Sequence, residues 1–139
     1  MHEPDLAEIN SRLPGTLPGH LDIEITHWEP GVIHARLPIG AKHMAPNGYL
    51  HAGSVVTLAD TASGLGCVTN LPDGATGFTT IELKSNHLGT AREGALHCVA
   101  KAKHMGRTTH VWDAEISHEQ TGRTIAVFRC TQMILYPKA

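Results

Sequence analysis

One segment of this chain carries a sustained helical period, and most of the remaining regular sequence alternates like strand. At 3.6 residues per turn, Val55, Leu58, Ala59, Ala62 and Leu65 fall on one apolar stripe. Thr57, Asp60, Gly64 and Cys67 fall on the opposite side. That second face is small and nearly uncharged, where a solvated helix would carry Lys, Glu and Arg. A long helix with two faces to cover needs a sheet on one and a second surface or a ligand on the other.

The sheet is legible on both sides of that helix. Leu21, Ile23 and Ile25 alternate with Asp22, Glu24 and Thr26, and beyond the Glu29-Pro30-Gly31 turn Ile33, Ala35, Leu37 and Ile39 continue the period, which predicts a hairpin. After the Leu71-Pro-Asp-Gly74 turn, four strands are predicted near Gly77–His87, Ala95–His104, Thr108–His118 and Arg123–Leu135. Short turns between consecutive strands favour antiparallel pairing. Ahead of the hairpin, Leu6, Ile9 and Leu13 predict a short leading helix, and Pro14, Gly15, Pro18 and Gly19 a loop, so residues 1–19 form a helix and loop at the edge of a single domain spanning 1–139. The expected class is α+β: about six curved antiparallel strands wrapped around one long central helix. Such a sheet leaves edges and a helix face uncovered, so at least a homodimer is expected, with a homotetramer as a dimer of dimers.

Composition narrows the function. A net charge of −2 with His neutral gives no footprint for nucleic acid or an anionic membrane. The Met-His-Glu-Pro-Asp start lacks the features of a signal peptide, and no apolar run approaches the roughly 20 residues that span a bilayer; a cytoplasmic protein is expected. Cys67, Cys98 and Cys130 are far apart and read as reduced core thiols. The eleven histidines are scattered without H-x-x-x-H or H-E-x-x-H spacing, so no metal site is expected.

The chemistry concentrates between Asn47 and Ala62. If the helix begins near His51, the N–H groups of Ala52 and Gly53 have no intrahelical acceptor and suit the oxyanion formed when a carbonyl is attacked. Gly53, lacking a Cβ, admits a ligand close to the backbone. Asp60 supplies a carboxylate, but it lies about 11–13 Å further along the axis. One Asp60 cannot reach a carbonyl held at its own helix start. It could meet the helix start of a second, oppositely running copy. Each residue also has a plainer reading: Asp60 as a solvated surface residue, His51 as a cap, Asn47 as a turn residue beside Gly48, and Thr80 as a good strand former.

The segment His51-Ala-Gly53-Ser-Val-Val-Thr-Leu-Ala-Asp60-Thr-Ala resembles the H-G-G-x-x-x-x-L-A-D/E-x-A motif of hotdog-fold acyl-CoA thioesterases of the phenylacetate-degradation type, related to 4-hydroxybenzoyl-CoA thioesterases with an acidic residue on the central helix. The resemblance continues through Leu21-Asp-Ile-Glu-Ile25, Thr80-Ile-Glu-Leu-Lys-Ser-Asn86, Met105-Gly-Arg-Thr108, Asp113-Ala-Glu-Ile116 and Thr121-Gly-Arg123. It implies a hotdog fold and hydrolysis of an acyl- or aryl-CoA thioester, with no cofactor besides the coenzyme A of the substrate. It implies Asp60 as general base or nucleophile, Ala52 N–H as oxyanion donor, His51 as the residue positioning the motif, and Asn47 and Thr80 as orienting thioester or water. Gly53 and Gly64 are the implied substrate contacts, with Lys84 and Arg107 available to CoA phosphates. Ala52 replaces the first glycine of the doublet, and the family's N-F-L-R-P turn is here Asn86-His-Leu-Gly-Thr90. A hotdog hydratase or dehydratase and a non-catalytic acyl-CoA or acyl-carrier binding module are the alternatives.

Overall fold

A computed structural model describes residues 3–138; Met1, His2 and Ala139, at the ends of the expected domain, lie outside the described residues. Two short helices, α1 (Leu6–Asn10) and α2 (Leu17–His20), lead into the hairpin β1 (Glu24–Glu29) and β2 (Val32–Pro38). A single 3₁₀ turn, Ala41–His43, precedes the long helix α3 (Ala52–Val68). Strands β3 (Gly77–His87), β4 (Ala95–Met105), β5 (Thr109–His118) and β6 (Thr124–Leu135) complete the chain. The six strands form one antiparallel sheet in the order β1-β2-β4-β5-β6-β3, so β1 and β3 are its edges.

Alternation decides which residues face α3. On β5, His110, Trp112, Ala114 and Ile116 are buried, and on β6, Phe128, Cys130, Gln132 and Ile134. Of these, Trp112, Ala114, Ile116, Phe128 and Cys130 meet Val55, Leu58, Ala59 and Ala62 of the helix in one core with Ile25, Ile33, Ala35, Leu37 and Leu96. The curved sheet touches α3 from β2, β4, β5, β6 and β3. All three cysteines are free and buried, as the sequence suggests.

Both ends of α3 are anchored. At its C-terminus the Trp28 indole N–H donates to Thr69 Oγ1 (2.9 Å), and the Gly31 N–H in the β1–β2 turn donates to Asn70 Oδ1 (3.3 Å). At its N-terminus the backbone carbonyl of His43 accepts both the His51 N–H (2.9 Å) and the Ser54 hydroxyl (3.0 Å). In the middle, Gly66 lies directly under Trp112. A Cβ there would meet the indole at 2.6–3.1 Å, so only glycine allows this approach.

Three expectations are corrected. The 1–19 loop contains the start of a helix, because Pro18 sits in the first turn of α2, where a proline's missing N–H costs nothing. Strand β1 starts at Glu24 rather than Leu21, since Asp22 turns the chain with φ +59. Cys67, read as a core thiol but placed by helical phase on the uncovered side of α3, is fully buried, so the phase reading fails: the sheet curls round this end of the helix and brings Cys130 beside it.

The Trp112–Gly66 contact is testable. Gly66→Val should destabilise the protein by about 1–3 kcal/mol or more through overpacking, measured as a lowered denaturant midpoint. An unchanged midpoint would show that the indole can move aside.

Candidate active site

Helix α3 opens where the spacing places it, with His51 as N-cap. The imidazole folds back so that Nδ1 accepts the Gly53 N–H at 2.7 Å. That contact explains Gly53, where a Cβ would lie 2.9 Å from Nδ1. It also means that of the two N–H groups expected to be open, Gly53's is engaged by the cap. The Ala52 N–H has no acceptor among the described residues and sits at the exposed helix start. With Nδ1 accepting, a neutral His51 carries its proton on Nε2, a second outward-facing donor.

The segment feeding the cap is held by a residue that the sequence does not single out. His43 is buried, its Nδ1 accepts the Gly40 N–H (2.9 Å), and its Nε2 bonds the carbonyl of Leu21 (2.8 Å). A buried ring with both nitrogens satisfied is a fixed strut. Nothing in the local spacing distinguishes it from the other ten histidines. Beyond it, Met44 and Leu50 bridge, and the tip Ala45–Tyr49 closes with the Ala45 N–H on Tyr49 O (2.7 Å) and the Gly48 N–H on Ala45 O (2.9 Å). Gly48 has φ +85, a conformation that glycine tolerates. Asn47 lies exposed at this tip, its Oδ1 accepting the Tyr49 N–H (3.1 Å), which leaves its amide N–H groups pointing outward.

Asp60 lies eight residues beyond Ala52, a rise of about 12 Å. It is half-buried on the side of α3 that faces β3 and β6, with no hydrogen bond or ion pair among the described residues. Burial alone raises its pKa above the ordinary carboxylate range. A neighbouring cation would lower it, and none among the described residues does so. Gly64, one turn on, has Phe78 of β3 against its backbone; a Cβ would lie 3.2 Å from Phe78 Cζ. Two residues along the same edge strand, Thr80 is exposed and pairs with Gln132 of β6.

The single chain thus brings Asp60, Gly64 and Thr80 to one edge of the sheet and sets His51, Ala52, Gly53 and Asn47 at the helix start. The remaining two candidates lie elsewhere. Lys84 is on the outer face of β3, opposite Arg129, where it lines an open depression of about 630 Å³ with Lys101, Lys103 and Asp113. Arg107 is in the β4–β5 turn, its guanidinium 5.7 Å from the Tyr136 ring centroid and its carbonyl accepting the Tyr136 hydroxyl. Among the described residues, no group of three or more His, Cys, Asp or Glu is placed to hold a metal ion. No helix among the described residues is long and apolar enough to cross a membrane.

One long helix wrapped by a curved six-stranded antiparallel sheet is an architecture that can be set beside those of known proteins. The thioesterase superfamily model matches residues 47–125. The 1,4-dihydroxy-2-naphthoyl-CoA hydrolase of Escherichia coli (strain K12) is 33% identical over 132 residues, 94% of this chain and 94% of that protein. The proofreading thioesterase EntH of Cronobacter turicensis is 28% identical over 130 residues, 94% of this chain and 93% of that protein. The crystal structure of a mutant thioesterase from Pseudomonas aeruginosa superposes with a TM-score of 0.90 at 29% identity, covering 96% of each chain. This chain belongs to the thioesterase superfamily and is a hotdog-fold thioester hydrolase.

Two consequences can be measured. His51→Ala removes the acceptor of the capping bond and should cost about 0.5–2 kcal/mol of stability, while Gly53→Ala, whose Cβ would crowd the imidazole at 2.9 Å, should cost less because alanine's higher helix propensity offsets part of the loss. The double variant should cost little more than His51→Ala alone; full additivity would mean that the two residues act separately. For Asp60, the native state binds its proton more tightly than the unfolded chain does, so the ionised carboxylate destabilises the fold. That cost develops as pH rises from the ordinary value of 3.8 through the raised native one. Asp60→Asn should therefore be more stable than wild type at pH 7, with the gap closing as pH falls below 3.8, read from urea midpoints across pH. A less stable Asp60→Asn at pH 7 would contradict an unpaired carboxylate.

Proposed function

We propose that this protein hydrolyses an acyl- or aryl-CoA thioester to the free acid and coenzyme A, with Asp60 as the catalytic carboxylate. The observation that carries this reading is the unpaired Asp60, kept basic by burial, on a helix whose first N–H at Ala52 is open. The likeness to a 1,4-dihydroxy-2-naphthoyl-CoA hydrolase over nearly the whole chain supports an acyl-CoA substrate. Coenzyme A enters as part of the substrate, and the proposed reaction calls for no other cofactor.

The separation of about 12 Å between Ala52 and Asp60 requires two copies. In the proposed homodimer the thioester oxygen rests on Ala52 N–H of one copy while Asp60 of the other faces the carbonyl carbon. Asp60 takes a proton from water as water attacks, or attacks the carbon itself. The carbonyl π electrons move onto oxygen, where Ala52 N–H and the helix dipole stabilise them. Collapse breaks the C–S bond and releases the CoA thiolate. On the general-base route the thiolate takes up the proton that Asp60 removed from water, and the carboxylic acid is left. On the nucleophilic route a mixed anhydride of the acyl group with Asp60 is left, which water then hydrolyses to the acid and free Asp60, its proton going to the thiolate. Asn47, with free amide N–H groups at the loop tip, and Thr80, beside the site on β3, orient thioester and water. His51 fixes the helix start. Arg107 and Lys84 remain candidates for the CoA phosphates. Edge strand β3, 11 residues long and largely exposed, offers the pairing edge for the second copy.

Release of CoA from a panel of aryl, short, medium and long acyl-CoAs tests the reading. Asp60→Asn should lower kcat by roughly 10²–10⁴ while thioester binding persists. Retained turnover would overturn the assignment. Ala52→Pro isolates the oxyanion donor: Ala52 is the first helical residue, where proline is best tolerated, and His51 already has the extended conformation (φ −70, ψ 130) that a following proline needs. This variant should keep its fold and lose roughly 10²–10³ in kcat. A folded Ala52→Pro of full activity would place the oxyanion elsewhere.

A further inference from the structure

Beneath α3, three polar atoms on three different elements are buried without a nitrogen or oxygen partner among the described residues. Ser63, Gln132 and His110 are 0%, 1% and 0% exposed; Ser63 Oγ, Gln132 Oε1 and His110 Nε2 bond no nitrogen or oxygen among the described residues, and the Ser63 hydroxyl meets only the Cys130 thiol. The bonds that the same side chains do make define what is left over. The Trp112 indole N–H donates to His110 Nδ1 (3.2 Å), so the imidazole proton is on Nε2 and that atom is a donor. The Gln132 amide donates from Nε2 to the carbonyl of Ser63 (3.2 Å), so Oε1 is an acceptor. The Ser63 hydroxyl can act either way. Burial, with His104 nearby, holds the His110 pKa below its ordinary value, consistent with the neutral ring.

These atoms adjoin the proposed catalytic carboxylate. His110 and Gln132 are direct partners across β5 and β6, and Thr80 is the partner of Gln132 across β3. Ser63 is three residues beyond Asp60, a neighbour on the helix surface. Cys130, the next inward-facing residue of β6, has its thiol pushed up to about 11 by burial, with a hydrogen bond to the Ser63 hydroxyl opposing the rise and the nearby Asp60 carboxylate adding to it. A buried donor and acceptor on opposed residues that do not bond each other call for a mediator. Buried waters typically make about three hydrogen bonds to otherwise unsatisfied groups, matching the three atoms here.

We propose that Ser63, Gln132 and His110 bind one buried water molecule and with it form a latch fixing the turn of α3 that carries Asp60, which makes Gln132 and His110 positioning residues for the reaction. The water accepts from His110 Nε2–H, donates one proton to Gln132 Oε1 and the other to Ser63 Oγ, whose own proton then turns towards Cys130. Together with the Gln132 amide on Ser63 O, this ties one helical turn to β5 and β6. The proposal rests on the reading of Asp60 as the catalytic carboxylate.

The test sets Gln132→Met and His110→Phe beside Asp60→Asn, measuring kcat, KM and thermal midpoint for each, together with a crystal structure of the wild type at about 1.5 Å. The latch predicts that both variants lose roughly tenfold or more in kcat while KM stays within about twofold, because a small displacement of a reacting group slows chemistry more than binding. It also predicts density for one water in hydrogen-bonding range of all three atoms. Variants that melt lower but keep wild-type kcat, or a crystal structure in which the three atoms bond each other directly, would overturn it. If the variants do not fold, the crystal structure alone decides. An active Asp60→Asn would instead overturn the catalytic reading itself; an inactive Asp60→Asn beside unslowed latch variants removes only the latch.

Discussion

The indole of Trp112 lies against the bare backbone of Gly66, and that contact sets how closely α3 approaches the sheet. Around it the facing side chains are small: Ala59 and Ala62 on the helix, Ala100, Ala114 and Cys130 on the strands. With the helix drawn in, a sheet of six strands curves round it from β2 to β3. Trp28 and Gly31 hold one end, and the His43 carbonyl holds the other. The helix is therefore located along its axis as well as in depth.

Locating α3 also locates the chemistry, because the proposed carboxylate and oxyanion donor both belong to it. Depth decides that Asp60 is half-buried against β3 and β6, where its charge is costly and its basicity raised. Axial position decides where the Ala52 N–H emerges. The rise of an α-helix keeps these two groups about 12 Å apart in one chain, so on the proposed reading the working unit is made by two helices, each supplying what the other lacks. On the same proposed reading, the unpaired Asp60 is a local loss of stability retained at a reactive position, where strain and unsatisfied charge are expected to collect.

The sequence made the strands and the helix start legible because each rests on a local rule. Alternation placed β3 at Gly77–His87, and the bounds of β4, β5 and β6 fell within a residue of observation. His51 before a run of small and apolar residues marked the N-cap. What escaped depends on contacts distant in sequence. Cys67 was assigned by helical phase alone, and phase carries no information on how far a curved sheet wraps round a helix. His43, held between Gly40 and Leu21, is one histidine among eleven until the chain folds. Helix α2 was hidden because Pro18 and Gly19 read as breakers, whereas a first-turn proline is compatible with one helical turn. At the site, Asp60 stood out through its small neighbours and Gly53 through its bare backbone at the helix start, but the engagement of the Gly53 N–H by His51 required the imidazole's rotamer, which spacing does not encode.

A site shared between copies has a direct signature in subunit mixing. Asp60→Asn and Ala52→Pro would be purified separately, confirmed inactive, then dissociated and reassociated in equal amounts before CoA release is assayed. If the carboxylate comes from one copy and the oxyanion donor from the other, each mixed dimer carries one site with both lesions and one with neither. The mixture should then regain about a quarter of wild-type activity by random pairing. No recovery above the two parents, with mixed dimers demonstrated by mass spectrometry, would contradict the shared site.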